Sequence, residues 1–527
     1  MVAHDSKEAG QLPSPASHDN DFDLEKSMPP ESQLENGHND SHRGGGGDGS
    51  MSSSSSTSAG GEEFEVKWEG QDDPGNPRSM SKFRKWLCTW VVSLGSLCVT
   101  CTSSIYTSTY RQVTAEMHVS QLVAVLGLSL FVGGLGIGPM FLGPMSEFFG
   151  RRPIYLVSFT CFTIFLIPCA LAPHIAVLLI FRFFAGMAGS AFLSVAGGTV
   201  GDMFAGPELS APMMIYTASP FIGPSLGPLI GGFINQQTSW RWTFWVLIIW
   251  SFFMLASLYF FVPETYHPVL LRQRAVALRA QTGDSRYRAP IEKLDRSITK
   301  TVLWSCTRPF QLLIHEAMVS LLCTFTAILL GVLYLFFQAF PLVFSHVYHF
   351  DLQMIGLTFL GLLVGMVSGT LSDPLWAKNR NRLVAKNGGV SEPEFRLPPA
   401  MAGAVLVPAG LFWFAWTTVE GVHWIVPIIG SVFFGMGTLL VFSGVFTFLV
   451  DAYPLYAASA LAANSFVRSS FAAGFPLFST ILYQRLGYQW ASTLLAFLTV
   501  LMAPFPVIFF IYGKRLRGKS RFATVQN

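Results

Sequence analysis

The chain has 527 residues, of which 51% are hydrophobic and 12% are charged, and its formal net charge is +3. Because soluble globular domains carry about 25% charged residues, this composition excludes an ordinary soluble enzyme and indicates a membrane protein. The net charge is too small for a nucleic-acid-binding protein, and the basic residues form small clusters beside apolar segments.

The first 80 residues differ in composition from the rest of the chain. They include the run GGGGDGSMSSSSSTSAGG at 44–61 and are too poor in apolar residues to bury a core. We therefore predict a disordered tail over residues 1–80. The seven cysteines lie mostly inside apolar segments, without a CxxC pair or zinc-like spacing, so we expect neither a disulfide framework nor a metal site.

From Trp86 onward, apolar segments of about 20 residues recur, and each is long enough to cross a hydrocarbon core of about 30 Å. They are apolar all round, which excludes a soluble helical bundle because its helices need polar faces. We predict twelve spans in two groups of six. The first six lie near 86–107, 121–142, 153–172, 176–200, 212–234 and 242–262. The second six lie near 316–340, 352–372, 399–417, 423–448, 458–482 and 489–512.

Lysine and arginine are concentrated on one side of these spans. Short loops rich in these residues stay in the cytoplasm, so we predict that both termini and the long connection after span six are cytoplasmic. The predicted regions are a tail at 1–80, an N-terminal half at 81–265, a linker at 266–313, a C-terminal half at 314–513 and a C-terminal tail at 514–527.

The two halves show faint internal similarity. GPMSE at 143–147 matches GTLSD at 369–373, and FFAGM in span four matches FFGM in span ten at an offset of 249 residues. The same offset pairs Asp202 with Asp451, and each of these acids ends its span. Two related six-span units are typical of secondary transporters. The similarity therefore favours a duplicated transporter architecture.

Five segments carry recognisable motifs. They are LGLSLFVGGLGIGPMFLGPMSEFFGRRPIYL at 126–156, SPFIGPSLGPLIGGFI at 219–234, WRWTFW at 240–245, PETYHPVLL at 263–271 and VDAYPLYAASALAANSFVRSSF at 450–471. Together they resemble the major facilitator superfamily and, within it, the fungal twelve-span drug:proton antiporters, over residues from about 64 to 515. The resemblance implies an all-α membrane protein with the major facilitator fold, in which twelve transmembrane helices form two six-helix halves around a central cavity.

The resemblance also implies a charged gate on the cytoplasmic side. The two halves of such a transporter rock against each other, so contacts at this side must form and break. Charged side chains suit this role because they are costly when buried unpaired but can be rehydrated. The alternative for the adjacent arginines is that they only anchor their loop at the cytoplasmic surface. The predicted gate residues are Glu147, Arg151, Arg152, Asp202, Asp373 and Asp451.

Arg182 is a lone charge about eight residues into span four, where insertion costs roughly 2.5 to 3.5 kcal/mol. In the family that the chain resembles, the arginine of this span is tied to proton coupling, so we expect Arg182 to act on the pKa of a nearby acid. Asp202, Glu264, Glu316 and Asp451 all stay open as the proton carrier. An arginine that snorkels to the outer interface is the alternative.

Span five carries a glycine and proline pattern. Glycines let neighbouring helices approach closely and prolines kink a span, so we expect a hinge or a tight seal. The resemblance implies that this pattern marks exporters that exchange substrate against protons. The residues are Gly223, Pro224, Gly227, Pro228, Gly231 and Gly232.

Polar and aromatic residues at mid-span depth are candidates for the substrate cavity. Aromatic rings in a span also serve packing, and this alternative applies to each of them. For Arg468, packing against the cavity wall and binding of anionic groups both stay open. The candidates are Ser103, Tyr106, Phe221, Tyr334, Phe337, Gln338, Asn464 and Arg468.

The motifs together predict a function in transport. We expect no enzymatic activity and no cofactor. The resemblance implies a proton-coupled exporter of amphipathic or hydrophobic small molecules, such as drugs, toxins, secondary metabolites or polyamines, that works as a monomer by alternating access. Its partners would be the substrate, protons and the lipid bilayer of the plasma membrane, with the vacuolar membrane as the alternative. A carrier of one endogenous metabolite, working outward or inward, and a membrane sensor that does not transport are the alternative functions.

Overall fold

The computed structural model describes residues 64–70, 73–293, 298–518 and 520. Residues 1–63 lie outside the described residues, and so does the disorder that the sequence predicts for them. The described chain is almost entirely helical. One large apolar core runs through both halves of the bundle.

Each predicted span of the first half is helical. Span one is Lys82–Ile105, and the 3₁₀ turn Tyr106–Thr109 and the helix Tyr110–Met117 extend it. Span two is Gln121–Phe149, span three is Arg151–Ala170, and span four consists of Ile175–Gly189, Ala191–Ser194 and Ala196–Met203. Span five is Ser210–Gln237, which follows the 3₁₀ turn Gly206–Leu209, and span six is Arg241–Phe261.

The linker and the second half are helical too. The linker holds His267–Thr282, the strand Tyr287–Arg288, the 3₁₀ turn Pro290–Lys293 and Ile298–His315. Span seven is Ala317–Val347, and span eight is Leu352–Thr358 with Leu360–Leu371; the helix Asp373–Lys386 and the 3₁₀ turn Pro393–Arg396 follow span eight. Span nine is Pro398–Thr417, and span ten is Ile425–Ala452. After the 3₁₀ turn Pro454–Tyr456, the helices Ala457–Met502 and Pro504–Arg517 together form spans eleven and twelve, which Gly487 divides.

Ten segments of the described chain are helical, long and apolar enough to cross a membrane. One of them, Ala457–Arg517, contains two predicted spans, because Gly487 has a non-helical backbone (φ 78°, ψ 166°) that breaks the helix between them. The helix Ser210–Gln237 supplies the predicted fifth span; its three internal prolines make it less apolar than the others. The predicted twelve helices are therefore all present.

Polar residues mark several helix starts. The side chains of Ser81, Ser120 and Asp351 accept hydrogen bonds from the backbone N–H groups of Arg84, Val123 and Met354. Such caps satisfy N–H groups that have no partner within the helix. They fix where spans one, two and eight begin.

Glycines at equivalent places let span two approach span four and span eight approach span ten. A Cβ atom on Gly138 would lie 2.6 Å from the carbonyl oxygen of Met187, and one on Gly369 would lie 3.2 Å from that of Met436. The two methionines are 249 residues apart, as the sequence repeat predicts, but the two glycines are 231 apart. Close packing therefore pairs Gly369 with Gly138 and not with Gly143 of the GPMSE segment.

The segment before span one packs on the linker. The strand Phe64–Glu65 pairs in parallel with Tyr287–Arg288, and Val66 packs in a small core with Ala275 and Ala289. Residues 64–70 and 73–80, which the sequence analysis assigns to the tail, thus contact the linker. Composition did not indicate this contact, because among residues 64–70 and 73–80 only four side chains, those of Val66, Asp73, Asn76 and Pro77, are buried, and most of the others are polar.

Asp73 holds this segment together. Its carboxylate accepts hydrogen bonds from the backbone N–H groups of Glu69 (3.0 Å) and Gly75 (2.9 Å), and it pairs with Arg274 of the linker. These N–H groups and the guanidinium lower the pKa of Asp73 from 3.8 to about 2. Asp73 therefore stays ionised, and its contacts stay formed, at all physiological pH values.

Acidification from about pH 4 to about pH 2 is expected to release this segment from the linker. Because the pKa of Asp73 is lower in the folded chain than in the unfolded chain, its stabilising effect is complete above about pH 4 and is lost as the pH falls through about 2. Pepsin cleavage near Phe64, compared between the native chain and Asp73→Asn, measures the release. The variant should already be cleaved readily at pH 4. Equal cleavage of both chains at pH 4 would contradict the expectation.

Candidate functional site

Arg151 and Asp202 meet at the end of the bundle where the linker lies, here called the linker end. The Nε of Arg151 donates to Oδ2 of Asp202 (3.2 Å), and its Nη1 donates to the hydroxyl of Ser146 (2.6 Å). The two charged side chains are only 12% and 15% exposed. Gly198 leaves room for the guanidinium, since a Cβ atom there would lie 2.7 Å from Nη2. The structure thus joins the start of span three to the end of span four through a largely buried ion pair.

Glu264, just after span six, binds the start of span three. Its Oε1 accepts from the backbone N–H of Arg151 (2.9 Å) and its Oε2 accepts from that of Arg152 (3.1 Å). A carboxylate at a helix start also interacts favourably with the helix dipole. Gly150 has φ 95°, and a Cβ atom there would collide with this carboxylate. Glycine is therefore required between spans two and three.

The rest of the PETYH segment surrounds the same ion pair. The hydroxyl of Thr265 donates to Oδ2 of Asp202 (3.4 Å), and Nε2 of His267 lies 2.9 Å from the backbone oxygen of Asp202. The ring of Tyr266 lies 4.6 Å from the guanidinium of Arg151. From the sequence, this segment is a family motif with one candidate proton carrier, Glu264, and its contacts with Arg151 and Asp202 were not predicted. More than 60 residues separate each of these residues from its partner, so only the fold reveals the contacts.

Arg152 and Glu147 are the other predicted gate residues of the first half. The Nη2 of Arg152 donates to the backbone oxygen of Tyr259 (2.9 Å), so its side chain points away from Asp202. This placement corrects the expectation that Arg152 joins the charged network. Glu147 is half-buried in the last turn of span two, four residues before Arg151.

The second half has its own ion pair at the linker end. The Nε of Arg396 donates to Oδ2 of Asp451 (2.7 Å), which joins the loop before span nine to the end of span ten. Asp373 begins the helix after span eight, with Arg380 and Arg396 as its charged neighbours. The sequence repeat predicted Asp451 but not its partner Arg396.

Arg517 is the last residue of span twelve. It lies at the end of the second half as Glu264 lies at the end of the first, but it carries the opposite charge. Its Nε and Nη2 donate to Oε1 (2.8 Å) and Oε2 (2.9 Å) of Glu394, and the two side chains are 8% and 4% exposed. Nearby, the hydroxyl of Tyr453 donates to Glu316 (3.0 Å). The letters GKRLRGKS at 513–520 match a phosphate-binding loop, but their first five residues end a helix and do not follow a strand, as such a loop requires.

Removal of the Arg517 pair should cost far more stability than removal of a neighbouring exposed pair. Arg517→Ala leaves the carboxylate of Glu394 buried and without its bidentate partner, which costs about 3 kcal/mol. Lys514→Ala breaks the Lys514–Glu392 pair, whose lysine is 74% exposed, and should cost under about 1 kcal/mol. Thermal unfolding of both variants in detergent measures the difference. Equal unfolding midpoints for the two variants would show that the buried Arg517–Glu394 pair contributes no more stability than the exposed Lys514–Glu392 pair.

Arg182 lies inside the bundle. It is fully buried, and its Nε donates to the backbone oxygen of Gly127 (2.7 Å) while its Nη2 donates to that of Ser103 (3.2 Å). Its guanidinium lies 4.1 Å from the ring of Tyr106 and 4.8 Å from that of Phe131. Complete burial excludes the alternative that Arg182 snorkels to the outer interface.

The surroundings of Arg182 differ from the sequence-based expectation in one respect. The titratable groups close enough to interact with its charge are Tyr106, Tyr110, Cys169 and Tyr334. Within the described part of the chain, no carboxylate pairs with Arg182. Its charge is therefore stabilised by backbone carbonyl groups and aromatic rings and not by an acid.

The glycine face of span five packs directly on span one. A Cβ atom on Gly223 would lie 2.8 Å from the backbone oxygen of Leu97. One on Gly227 would lie 2.5 Å from the backbone nitrogen of Ile105, and one on Gly231 would lie 2.9 Å from its oxygen. Any larger side chain would force the two helices apart. Pro224 and Pro228 lie inside the same helix.

The two halves touch at the end opposite the linker. A Cβ atom on Gly232 of span five would lie 2.7 Å from the backbone oxygen of Leu352 in span eight, and one on Gly356 would lie 2.8 Å from that of Pro228. At the linker end a cleft of about 680 Å³ lies between the start of span five and the helix Asp373–Lys386 that follows span eight. It is lined by Ser210, Ala211, Met214, Asp373, Pro374, Ala377, Lys378, Asn381, Arg382 and Ala385.

Four of the predicted cavity residues lie where the two halves face each other. The hydroxyl of Tyr334 lies 2.8 Å from that of Ser103 and so joins span seven to span one. Phe221 of span five stacks on Phe442 of span ten with centroids 4.4 Å apart. The guanidinium of Arg468 lies 5.4 Å from the ring of Phe221.

The other four predicted cavity residues are buried inside the bundle. Tyr106 covers Arg182, Phe337 is fully buried against Tyr334, and Nδ2 of Asn464 donates to the hydroxyl of Thr326 (2.7 Å). Gln338 is also buried, and its Nε2 has no hydrogen-bond partner within the described chain.

The fold can be compared with known proteins. The sequence profile described as Major Facilitator Superfamily matches residues 92–476. The chain belongs to this superfamily. Its major facilitator fold is also that of the xylose transporter XylE from E. coli in a partially occluded inward open conformation, with a TM-score of 0.56 at 17% identity over 81% of this chain and 99% of that one. The predicted superfamily and fold class are confirmed.

Several fungal major facilitator proteins are similar over most of this chain. Efflux pump atB of Aspergillus terreus is 54% identical over 467 residues, which cover 88% of this chain and 90% of that protein. Probable drug/proton antiporter YHK8 of Saccharomyces cerevisiae is 43% identical over 448 residues, which cover 85% of this chain and 87% of that one. These relationships identify a multi-pass membrane transporter.

Proposed function

We propose that this protein is a proton-coupled exporter of amphipathic or hydrophobic small molecules that works by alternating access. The observation that carries the proposal is the arrangement of span five, whose glycines pack on span eight at one end while a cleft lies between its other end and the helix that follows span eight. A single site that opens to one side at a time needs this asymmetry. The names of the relatives, efflux pump and probable drug/proton antiporter, favour export against protons.

In this proposal the linker end is cytoplasmic, and so are both termini. Residues 81–265 and 314–513 are the moving halves, joined by the linker at 266–313 and flanked by tails at 1–80 and 514–527. Substrate enters through the cleft from the cytosol and leaves at the plasma membrane by way of the opposite end. The protein works as a monomer, with drugs, toxins, secondary metabolites and polyamines as the substrate classes to test.

The gate and the proton are linked in the proposal. The Arg151–Asp202 and Arg396–Asp451 pairs hold the linker ends of the two halves in the shape seen here. When a half moves and Asp202 loses Arg151, a largely buried carboxylate without a cation favours its protonated form. Asp202 is therefore the proposed proton carrier of the first half, with Asp451 in the same place in the second. Arg182 fixes spans one, two and four as one body during this movement.

Accumulation of labelled azoles, dyes and polyamines tests the proposal in yeast that lacks its own pumps. Cells that express the protein should hold less of at least one compound, and a protonophore should remove the difference. Cells with an Arg182→Ala variant of equal abundance should behave like cells without the protein. If the accumulation of a compound rises, or if the protein changes the accumulation of none of the compounds tested, the proposal fails and a dedicated metabolite carrier becomes the better interpretation.

A further inference from the structure

Arg468 lies where the two halves face each other. It belongs to span eleven, and its guanidinium carbon lies 5.1 to 5.7 Å from the centroids of three aromatic rings, those of Phe221, Phe442 and Phe446. Phe221 comes from the first half, and the other two come from span ten of the second half. A cation over aromatic faces is attracted to them, but the rings accept no strong hydrogen bonds from it. The three rings thus attract the guanidinium of Arg468 but accept no strong hydrogen bonds from its N–H groups.

Two of the three guanidinium nitrogens of Arg468 lack acceptors in the described chain. Its Nε and Nη1 are buried and have no hydrogen-bond partner in the described chain. The titratable side chains close enough to interact with the charge are Tyr216, Cys323 and Tyr334, and none of these is an acid. Buried donors without acceptors cost free energy, and charged donors cost more. Arg182 differs in degree, because backbone oxygens of Gly127 and Ser103 accept from its Nε and Nη2, and only its Nη1 lacks a partner in the described chain.

Negative charge is absent from the middle of the described bundle. Every aspartate and glutamate among the described residues lies at a span end, in a loop or in the linker. The two arginines at membrane depth, Arg182 and Arg468, both lie within electrostatic reach of Tyr334. The potential in the space between the halves is therefore positive, which attracts anions and repels cations.

We propose that the space around Arg468 binds a hydrophobic organic anion with a planar aromatic body, such as an aromatic carboxylate. A carboxylate oxygen accepts a charge-assisted hydrogen bond from one of the unpartnered nitrogens, Nε or Nη1, whose N–H groups point to different sides of the guanidinium. The ring of the anion lies against Phe221, Phe442 and Phe446. This inference rests on the proposed export function and narrows its substrate class. It removes polyamines from the proposed substrates, because the guanidinium would repel an ammonium group and no described carboxylate is there to pair with it.

Three naphthalene compounds that differ only in charge test this site on the purified full-length protein in detergent at neutral pH. They are 2-naphthoate, 2-naphthamide and 2-naphthylmethylammonium, and binding is measured by titration calorimetry. We expect naphthoate to bind at least about tenfold more tightly than the amide, which corresponds to about 1.4 kcal/mol, and the ammonium compound to bind most weakly. Similar affinities for all three would overturn the proposal.

Variants of Arg468 separate recognition of the charge from general packing. Arg468→Gln should lower the affinity for naphthoate about tenfold and leave that for the amide within about twofold. Arg468→Lys keeps the charge but loses the planar guanidinium that lies among the three rings, and its affinity for naphthoate should lie between those of the native chain and Arg468→Gln. The exposed Arg485 supplies the matched control Arg485→Gln, which should bind like the native chain. If Arg468→Gln weakens anion and amide equally, Arg468 supports only the packing and the inference is wrong.

The yeast accumulation assay distinguishes failure of this inference from failure of the proposed function. A native chain that exports azoles or dyes, but binds naphthoate no better than naphthamide, overturns the anion site and leaves export standing. A native chain that binds naphthoate through Arg468, but lowers the accumulation of no compound, including naphthoate itself, overturns export and leaves the anion site standing.

Discussion

Export by an Arg182→Lys variant is expected to fall at least about tenfold although the positive charge is kept. Arg182 donates through two different nitrogens to spans one and two, and its flat guanidinium lies against the rings of Tyr106 and Phe131. A lysine ammonium cannot reproduce this fork. Each lost hydrogen bond from a buried charge is worth about 1.5 to 3 kcal/mol, so the loss affects both folding and transport.

The measurement compares initial export rates at equal amounts of folded protein, followed by thermal unfolding of the same samples. Arg485→Lys, at an exposed position, controls for the exchange of arginine for lysine. A lysine variant with native rates and a native unfolding midpoint would show that only the charge at position 182 matters. The coupling role that the family resemblance implies would then not depend on these hydrogen bonds.

Arg151→Ala should abolish export, whereas Arg152→Ala should change it less than about twofold. The first change leaves Asp202 largely buried without its cation, which costs about 3 kcal/mol in the state described here. The second removes a side chain that bonds to the backbone of Tyr259, while Glu264 still holds the backbone N–H of residue 152. The two arginines are adjacent in the sequence, so each variant serves as the matched control for the other.

A charge exchange separates the ion pair from other effects of these changes. The double variant Arg151→Asp with Asp202→Arg should recover a measurable part of the transport that each single change removes. Double-mutant analysis of the export rates gives the coupling between the two positions. A coupling near zero would mean that Arg151 acts through Ser146 or Tyr266 and not through Asp202.

Much of the fold could be predicted from the sequence because membrane spans leave a strong signal. Each of the twelve predicted spans is helical, and the predicted starts near 121 and 399 fall within one residue of Gln121 and Pro398. Span five shows the limit of hydropathy alone. Its prolines and glycines make it less apolar than the other spans, yet they are the residues that pack it on spans one and eight.

The partners within the gate could not be predicted, because they join residues that lie far apart in the chain. Asp202, Asp451 and Glu264 stood out as acids near span ends and as candidate proton carriers, whereas Arg396 and Arg517 looked like ordinary residues in charged segments. The repeat gave the correct offset for spans four and ten but the wrong register for span eight. Glycine is common in spans, so letters alone do not distinguish Gly138 from Gly143 as the partner of Gly369.

The confinement of carboxylates to the span ends has an electrical consequence. An anion that leaves the cell through a cavity with fixed positive charges carries one elementary charge outward, and a membrane potential of about 100 mV, negative inside, favours that step by about 2.3 kcal/mol. This alone sustains a concentration ratio of about 50. Turnover with such a cargo would therefore generate a current, and clamping the voltage would change its rate without any change in pH.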